Sequence, residues 1–135
     1  MRIIPTIVHG IADYILGVVL LFLPNIFGFA DLGGPAVWIP RILGIIDLLQ
    51  SFATNYELGV VKILPMKLHL ANDYVVSAFF AVSPWLFGFS NSPANVWVPF
   101  LVLGVLVFFV SLMTQTQPGE SMAGRISGGL PPRGR

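Results

Sequence analysis

The sequence predicts an all-α membrane protein whose four transmembrane helices form two tandem helical hairpins, related by a pseudo-twofold along the membrane normal. Three observations carry this expectation. Of 135 residues, 56% are hydrophobic and 10% charged, whereas a water-soluble domain has roughly a quarter of its residues charged. The chain also repeats itself: His9 to Phe29 and His69 to Phe89 are long apolar runs, each opening with a histidine and an aspartate and closing on Pro-x-x-Phe-Gly-Phe, sixty residues apart. Finally, Arg2, Lys62, Lys67, Arg125, Arg133 and Arg135 fall on the side that holds the termini and the central linker, with Arg41 alone near the other face. Both copies therefore start on one side, and the repeat is parallel instead of the inverted kind found in many alternating-access transporters.

Helix one is expected to start near Pro5 and helix three near Pro65, because proline fits a first helical turn where its missing N–H is not needed. They run to about Phe29 and Phe89, roughly 25 residues each, which exceeds the ~20 a bilayer requires. Tilt, a kink at Pro24 or Pro84, or an interfacial first turn would absorb the excess. Short loops, Ala30 to Ala36 and Ser90 to Asn95, are rich in Gly, Pro, Asn and Ser and read as tight hairpin connections. The second helix follows from about Val37 to Thr54 and the fourth from about Val96 to Thr114, with Trp38 and Trp97 at headgroup level. Asn55 to Leu68 reads as a linker lying along the membrane surface. One transmembrane domain is thus expected over 1–116, with repeats over about 2–58 and 62–116. Residues 117–135, rich in Gly, Pro and Arg with no apolar period, read as a flexible basic tail.

A net charge of +1 with scattered basic residues argues against nucleic acid, which needs a basic stripe. The absence of cysteine removes disulfides, thiolate metal sites and thiol redox chemistry. No small-residue cleavage site ends the first apolar run, so the first helix is expected to stay in the membrane. By the positive-inside rule both termini are cytoplasmic, in an inner or cytoplasmic membrane.

His9 and Asp13 are four residues apart, as are His69 and Asp73, so each pair shares a helix face. That face continues through Gly17 in one copy and Ser77 in the other, and small residues allow close helix approach. Ser51 and Thr54, matched by Ser111 and Thr114, lie at the right depth to hydrogen-bond the pairs and lock each hairpin. The plain reading is a polar clasp. The sharper one makes His9 and His69 axial ligands of a haem or chlorophyll-type pigment, with the aspartates behind them. Two histidines are too few for a catalytic zinc site unless carboxylates complete it, and no metal is expected. Asp47 lies near the bilayer midplane, counting ~1.5 Å per residue from Val37. An intramembrane carboxylate is a functional-site candidate: a hydrogen-bonded glue between helices, a proton or ion relay, or a contact to a partner. The second copy has Val107 there. Arg41, on another face, reads as a lipid-phosphate or loop anchor. Tyr14 and Tyr74 read as aromatic-belt residues. No phosphate loop, nucleophile elbow or paired catalytic carboxylates occur.

Ser83-Pro84-Trp85, followed by Leu86-Phe87-Gly88-Phe89, resembles the SPW-repeat family of small membrane proteins. The resemblance spans both hairpins, and the first copy has Leu23-Pro24-Asn25 in place of the motif. It implies two transmembrane helices per repeat and a membrane location, and brings no activity or catalytic residue. The expected role is therefore a non-enzymatic structural or accessory subunit packing against a larger membrane complex, of which respiratory and photosynthetic assemblies are examples. Its partners would be the lipid bilayer and other membrane-protein subunits. The alternatives are a pigment or haem carrier using His9 and His69, and a small proton or solute conductor centred on Asp47.

Overall fold

A computed structural model describes residues 2–117, so the expected tail falls, from residue 118 onward, outside the described residues. Four helices follow in order: α1 (Thr6–Ile26), α2 (Pro35–Ala53), α3 (Met66–Leu86) and α4 (Ala94–Met113), with a 3-10 turn at Ala30–Leu32 and no strand among the described residues. At ~1.5 Å per residue, helices of 19 to 21 residues cover about 28–32 Å, close to the ~30 Å of a hydrocarbon layer. Three of them, α1, α2 and α4, are long and apolar enough to cross a membrane. Helix α3 equals α1 in length, but Lys67, His69, Asn72 and Asp73 crowd its first half and lower its hydropathy.

Pro5 and Pro65 are the N-caps of α1 and α3, in extended conformation. The far ends differ from expectation, since α1 and α3 stop at Ile26 and Leu86, three residues short of Phe29 and Phe89. Gly28 and Gly88 take φ of 76° and 75°, and the N–H groups of Phe29 and Phe89 reach back to the carbonyls of Pro24 and Pro84 at 2.8 Å. This is the six-to-one bond that closes a helix with a left-handed glycine. Pro-x-x-Phe-Gly-Phe is thus a stop signal, and the excess length that tilt or kinking would have absorbed does not exist. Phe29 and Phe89 fold back into a buried cluster with Leu20, Leu23, Phe80 and Phe100, where Phe80 stacks on Phe100 at 4.5 Å.

Packing is concentrated within each hairpin, α1 on α2 and α3 on α4, and the two hairpins meet more sparsely. Two glycines on the second helices explain the close pairs. A Cβ at Gly44 would lie 2.7 Å from the Gly17 carbonyl oxygen, and one at Gly104 would lie 2.6 Å from the Ala81 nitrogen. Lipid is as apolar as leucine, so association inside a bilayer depends on such contact and not on hydrophobic burial.

At the opposite end, each copy is stitched to the start of the other. The Asn55 N–H donates to the Leu64 carbonyl (2.7 Å) and the Leu64 N–H to Ala53 (2.8 Å). Equivalently, the Ile4 N–H donates to Met113 and the Gln115 N–H to Ile4, both at 2.9 Å. The linker folds back over the end of α2, where the N–H groups of Val60 and Val61 both satisfy the Phe52 carbonyl. Arg2 serves the end of α4, donating to the Thr114 carbonyl at 2.6 Å and the Ser111 carbonyl at 3.3 Å, where a cation also suits the helix dipole.

Replacing Gly104 by Leu should force α3 and α4 apart and lower stability by about 1–3 kcal/mol, read by detergent-titrated unfolding in micelles. Val102→Leu on the exposed face should stay within about 0.5 kcal/mol of the parent.

Candidate functional site: a buried histidine–aspartate cluster

Where the copies are stitched, α1 supplies His9 and Asp13 and α3 supplies His69 and Asp73, exposed by only 2, 5, 0 and 7%. The four converge. His9 Nε2 is 3.2 Å from Asp13 Oδ1 and 3.1 Å from Asp73 Oδ2; His69 Nε2 is 3.1 Å from Asp13 Oδ2 and 3.4 Å from Asp73 Oδ2. The imidazoles meet edge to face with centroids 5.5 Å apart. Each histidine thus touches both its own helix's aspartate and the other copy's.

The threonines decide the tautomers. The Thr54 hydroxyl donates to the Gln50 carbonyl at 2.6 Å and the Thr114 hydroxyl to Val110 at 2.7 Å. A hydroxyl has one proton to give, so toward the rings these oxygens accept, from His69 Nδ1–H at 2.6 Å and from His9 Nδ1–H at 2.8 Å. With Nδ1 protonated, Nε2 of a neutral ring presents a lone pair to carboxylate oxygens, which is repulsive. A proton, carried by the ring or by the carboxyl group, or a cation must therefore lie between Nε2 and the carboxylates.

Asp73 is further held by Gln50 Nε2 on Oδ1 (2.9 Å) and by the Ser111 hydroxyl on Oδ2 (3.2 Å). Gln50 in turn accepts from Asn72. By contrast, Asp13 Oδ2 and His69 Nε2 lie 3.1 Å apart yet complete no aligned hydrogen bond. Ser51 departs from its counterpart Ser111: its hydroxyl lies beside that of Tyr56, and neither group is aligned with a partner. Tyr56, outside the helices, packs its ring against Gly10 and 5.8 Å from the His69 ring. Burial pushes its hydroxyl above the usual tyrosine range, so it stays neutral.

The threonine bonds correct one expectation. They run between copies, Thr54 to His69 and Thr114 to His9, and not within a hairpin, because each second helix is stitched to the start of the other copy. Ser111 to Asp73 alone stays within its hairpin. The haem or chlorophyll expectation also meets an obstacle. The Nε2 atoms that would bind the metal face Asp13 and Asp73 at 3.1–3.4 Å, and those carboxylates fill the space a macrocycle plane would need. Conversely, the carboxylates that two histidines lacked for a metal site are present, with four donor atoms within 4.8 Å of one another.

Asp47 stands twelve residues into α2 from Pro35, about 18 Å from the far end at ~1.5 Å per residue, so it lies past the midplane toward the cluster. It faces Gly17, its Oδ2 is buried without a partner, and with Gln50, Asn72 and Asp73 it lines a narrow crevice between the hairpins. Asn72 was not singled out from sequence; a polar residue inside an apolar run, matched by Ala12 in the first copy, was the available signal.

Ser83, Pro84 and Trp85 lie at the far end of α3, away from the cluster. The Ser83 hydroxyl is fully buried and donates to the Phe79 carbonyl at 2.6 Å. Pro84 supplies the carbonyl of the helix stop. Trp85 is 53% exposed and meets Trp97 edge to face at 5.8 Å. In the first copy Arg41 donates to Asn25 in the last turn of α1 at 3.0 Å.

Removing a histidine's acceptor strands a buried N–H, so Thr54→Val and Thr114→Val should each lower stability by about 1–3 kcal/mol. Ser51→Ala, which removes a buried hydroxyl with no aligned partner, should lower it by less than either threonine variant. Detergent-titrated unfolding of the three variants distinguishes them.

No curated protein and no solved structure matches this chain. The family model of the SPW repeat domain matches residues 7–114. That span takes in both hairpins, both histidine–aspartate pairs and the Ser83-Pro84-Trp85 motif, and the chain belongs to the SPW repeat family.

Proposed function

We propose that this membrane protein is a non-enzymatic structural or accessory subunit, cytoplasmic at both ends, that packs against a larger complex of an inner or cytoplasmic membrane. In this reading the His9, Asp13, His69 and Asp73 cluster is the clasp that holds its two hairpins together. The observation that carries it is the sorting of side chains. His9 and Asp13 of α1 and His69, Asp73 and Ser77 of α3 turn inward, while the outer faces are large and apolar: Ile11, Ile15 and Val18 on α1, Ile42, Ile45 and Leu49 on α2, Val75 and Val82 on α3, and Val102, Leu106 and Phe109 on α4 are all exposed. Such faces suit lipid chains and the apolar helices of a neighbour alike.

A conductor centred on Asp47 fits less well. Polar groups extend from Asp47 toward the cluster, but on the other side Leu20, Leu23, Phe80, Phe89 and Phe100 form a buried apolar layer. A charge crossing that layer would lack partners, at a cost of several kcal/mol.

Extraction in a mild detergent should yield the protein in a particle larger than its own monomer or homo-oligomer, with other membrane subunits identified by mass spectrometry; recovery of a free monomer or homo-oligomer alone would overturn the subunit reading. Because the chain has no cysteine, single cysteines report topology cleanly. Lys62→Cys should be closed to an impermeant maleimide in intact cells and Asn91→Cys open to it, and the reverse pattern would invert the orientation.

A further inference from the structure

We propose that the four-residue cluster is a structural binding site for one divalent transition-metal ion of tetrahedral preference, for which Zn²⁺ is the probe. The site deepens the clasp reading by naming the cation at its centre.

Geometry is the first support. Four N and O donors about 2.0–2.2 Å from a tetrahedral ion lie roughly 3.3–3.6 Å from one another. The nitrogen–oxygen contacts run from 3.1 to 3.4 Å, with His9 meeting Oδ1 and His69 meeting Oδ2 of Asp13, and one donor atom from each of the four residues falls within 4.8 Å of the others. Seating an ion would widen the shortest of these contacts by a few tenths of an ångström and draw the wider pairs inward.

The alignment of the donors is the second. If a proton alone held His69 Nε2 to Asp13 Oδ2, the ring N–H should point at that oxygen. The two atoms are 3.1 Å apart and buried without an aligned hydrogen bond, and with donors of His9 and Asp73 they surround a common centre, all within 4.8 Å of one another. An ion at that centre would ligate both. Its two positive charges would balance the two carboxylates, leaving a neutral site in surroundings of low dielectric constant.

The supporting bonds are the third. A metal-binding histidine is usually oriented by a hydrogen bond from its other ring nitrogen. Here both Nδ1–H groups are taken by threonine oxygens, which leaves both Nε2 lone pairs for the ion. Gln50 holds the outer oxygen of Asp73 in the same way. Four protein ligands with no open position describe a structural site and not a catalytic one. Since two ligands come from α1 and two from α3, the ion would cross-link the copies where helix packing between them is sparse. An N₂O₂ set without thiolate suits Zn²⁺; Cu²⁺ binds such donors strongly but prefers a square-planar arrangement.

The test uses untagged full-length protein in mild detergent, stripped with EDTA, dialysed and titrated with ZnCl₂. One Zn²⁺ per chain by elemental analysis is expected, with a rise in Tm on binding, and Co²⁺ in its place should give the intense visible bands of tetrahedral coordination. His69→Gln and Asp13→Asn should bind Zn²⁺ more than 100-fold more weakly, and Thr54→Val, which removes only a supporting bond, about 10–100-fold more weakly. No uptake by folded parent protein, an octahedral Co²⁺ spectrum, or unchanged affinity in a folded His69→Gln protein would each overturn the site. If His69→Gln does not fold, the parent's stoichiometry and Co²⁺ spectrum decide. The clasp fails separately: it is wrong if the Thr54 and Thr114 variants leave stability untouched, whatever the zinc result.

Discussion

Two aspartates and two histidines buried at one end of an apolar bundle must satisfy one another, because the water that would otherwise solvate them is excluded and an unpaired buried charge costs several kcal/mol. Neither helix can meet this alone. An i,i+4 pair on α1 supplies one imidazole and one carboxylate, and each imidazole in the structure lies between two carboxylates. That demand brings α1 and α3 together although most of their packing is with α2 and α4. The close approaches at Gly44 and Gly104 set the hairpin spacing, and the backbone bonds of Ile4 and Leu64 set the height at which Thr114 and Thr54 reach the rings.

The two ends of the bundle solve different problems with the same repeat. At the terminal end polar groups are buried and paired across the copies. At the far end the recurring Pro-x-x-Phe-Gly-Phe stops the helix, turns a phenylalanine into the core and leaves the indole of Trp85 exposed. Ser83, Pro84 and Trp85 are therefore architectural: one buried hydroxyl returned to its own helix, one carbonyl for the helix stop and one aromatic anchor. None of them approaches the cluster.

The copies differ in one direction. Gln50, Asn72 and Asp47 stand where the related positions hold Val110, Ala12 and Val107. The crevice on the first side is partly polar; its counterpart between α1 and α4 is walled by apolar side chains apart from His9 and Asp13. The cluster thus has a hydrogen-bonded flank and an apolar flank, and Asp73 is more heavily bonded than Asp13 because it receives Gln50 from the first flank and Ser111 from its own hairpin.

The helix count, the parallel repeat and the inward-facing histidine–aspartate pairs were legible in the sequence, because apolar run length, a sixty-residue offset and four-residue spacing are local properties that survive any packing. Helix ends were less legible. Pro-x-x-Phe-Gly-Phe reads equally as the last turn of a helix or as its stop, and a left-handed glycine distinguishes the two. Tertiary structure alone decided which threonine serves which histidine, since that choice depends on how the copies are stitched. It also decided that the two pairs merge into one centre with four converging donors. The distance between groups sixty residues apart is a property of the packed bundle, and no local pattern encodes it.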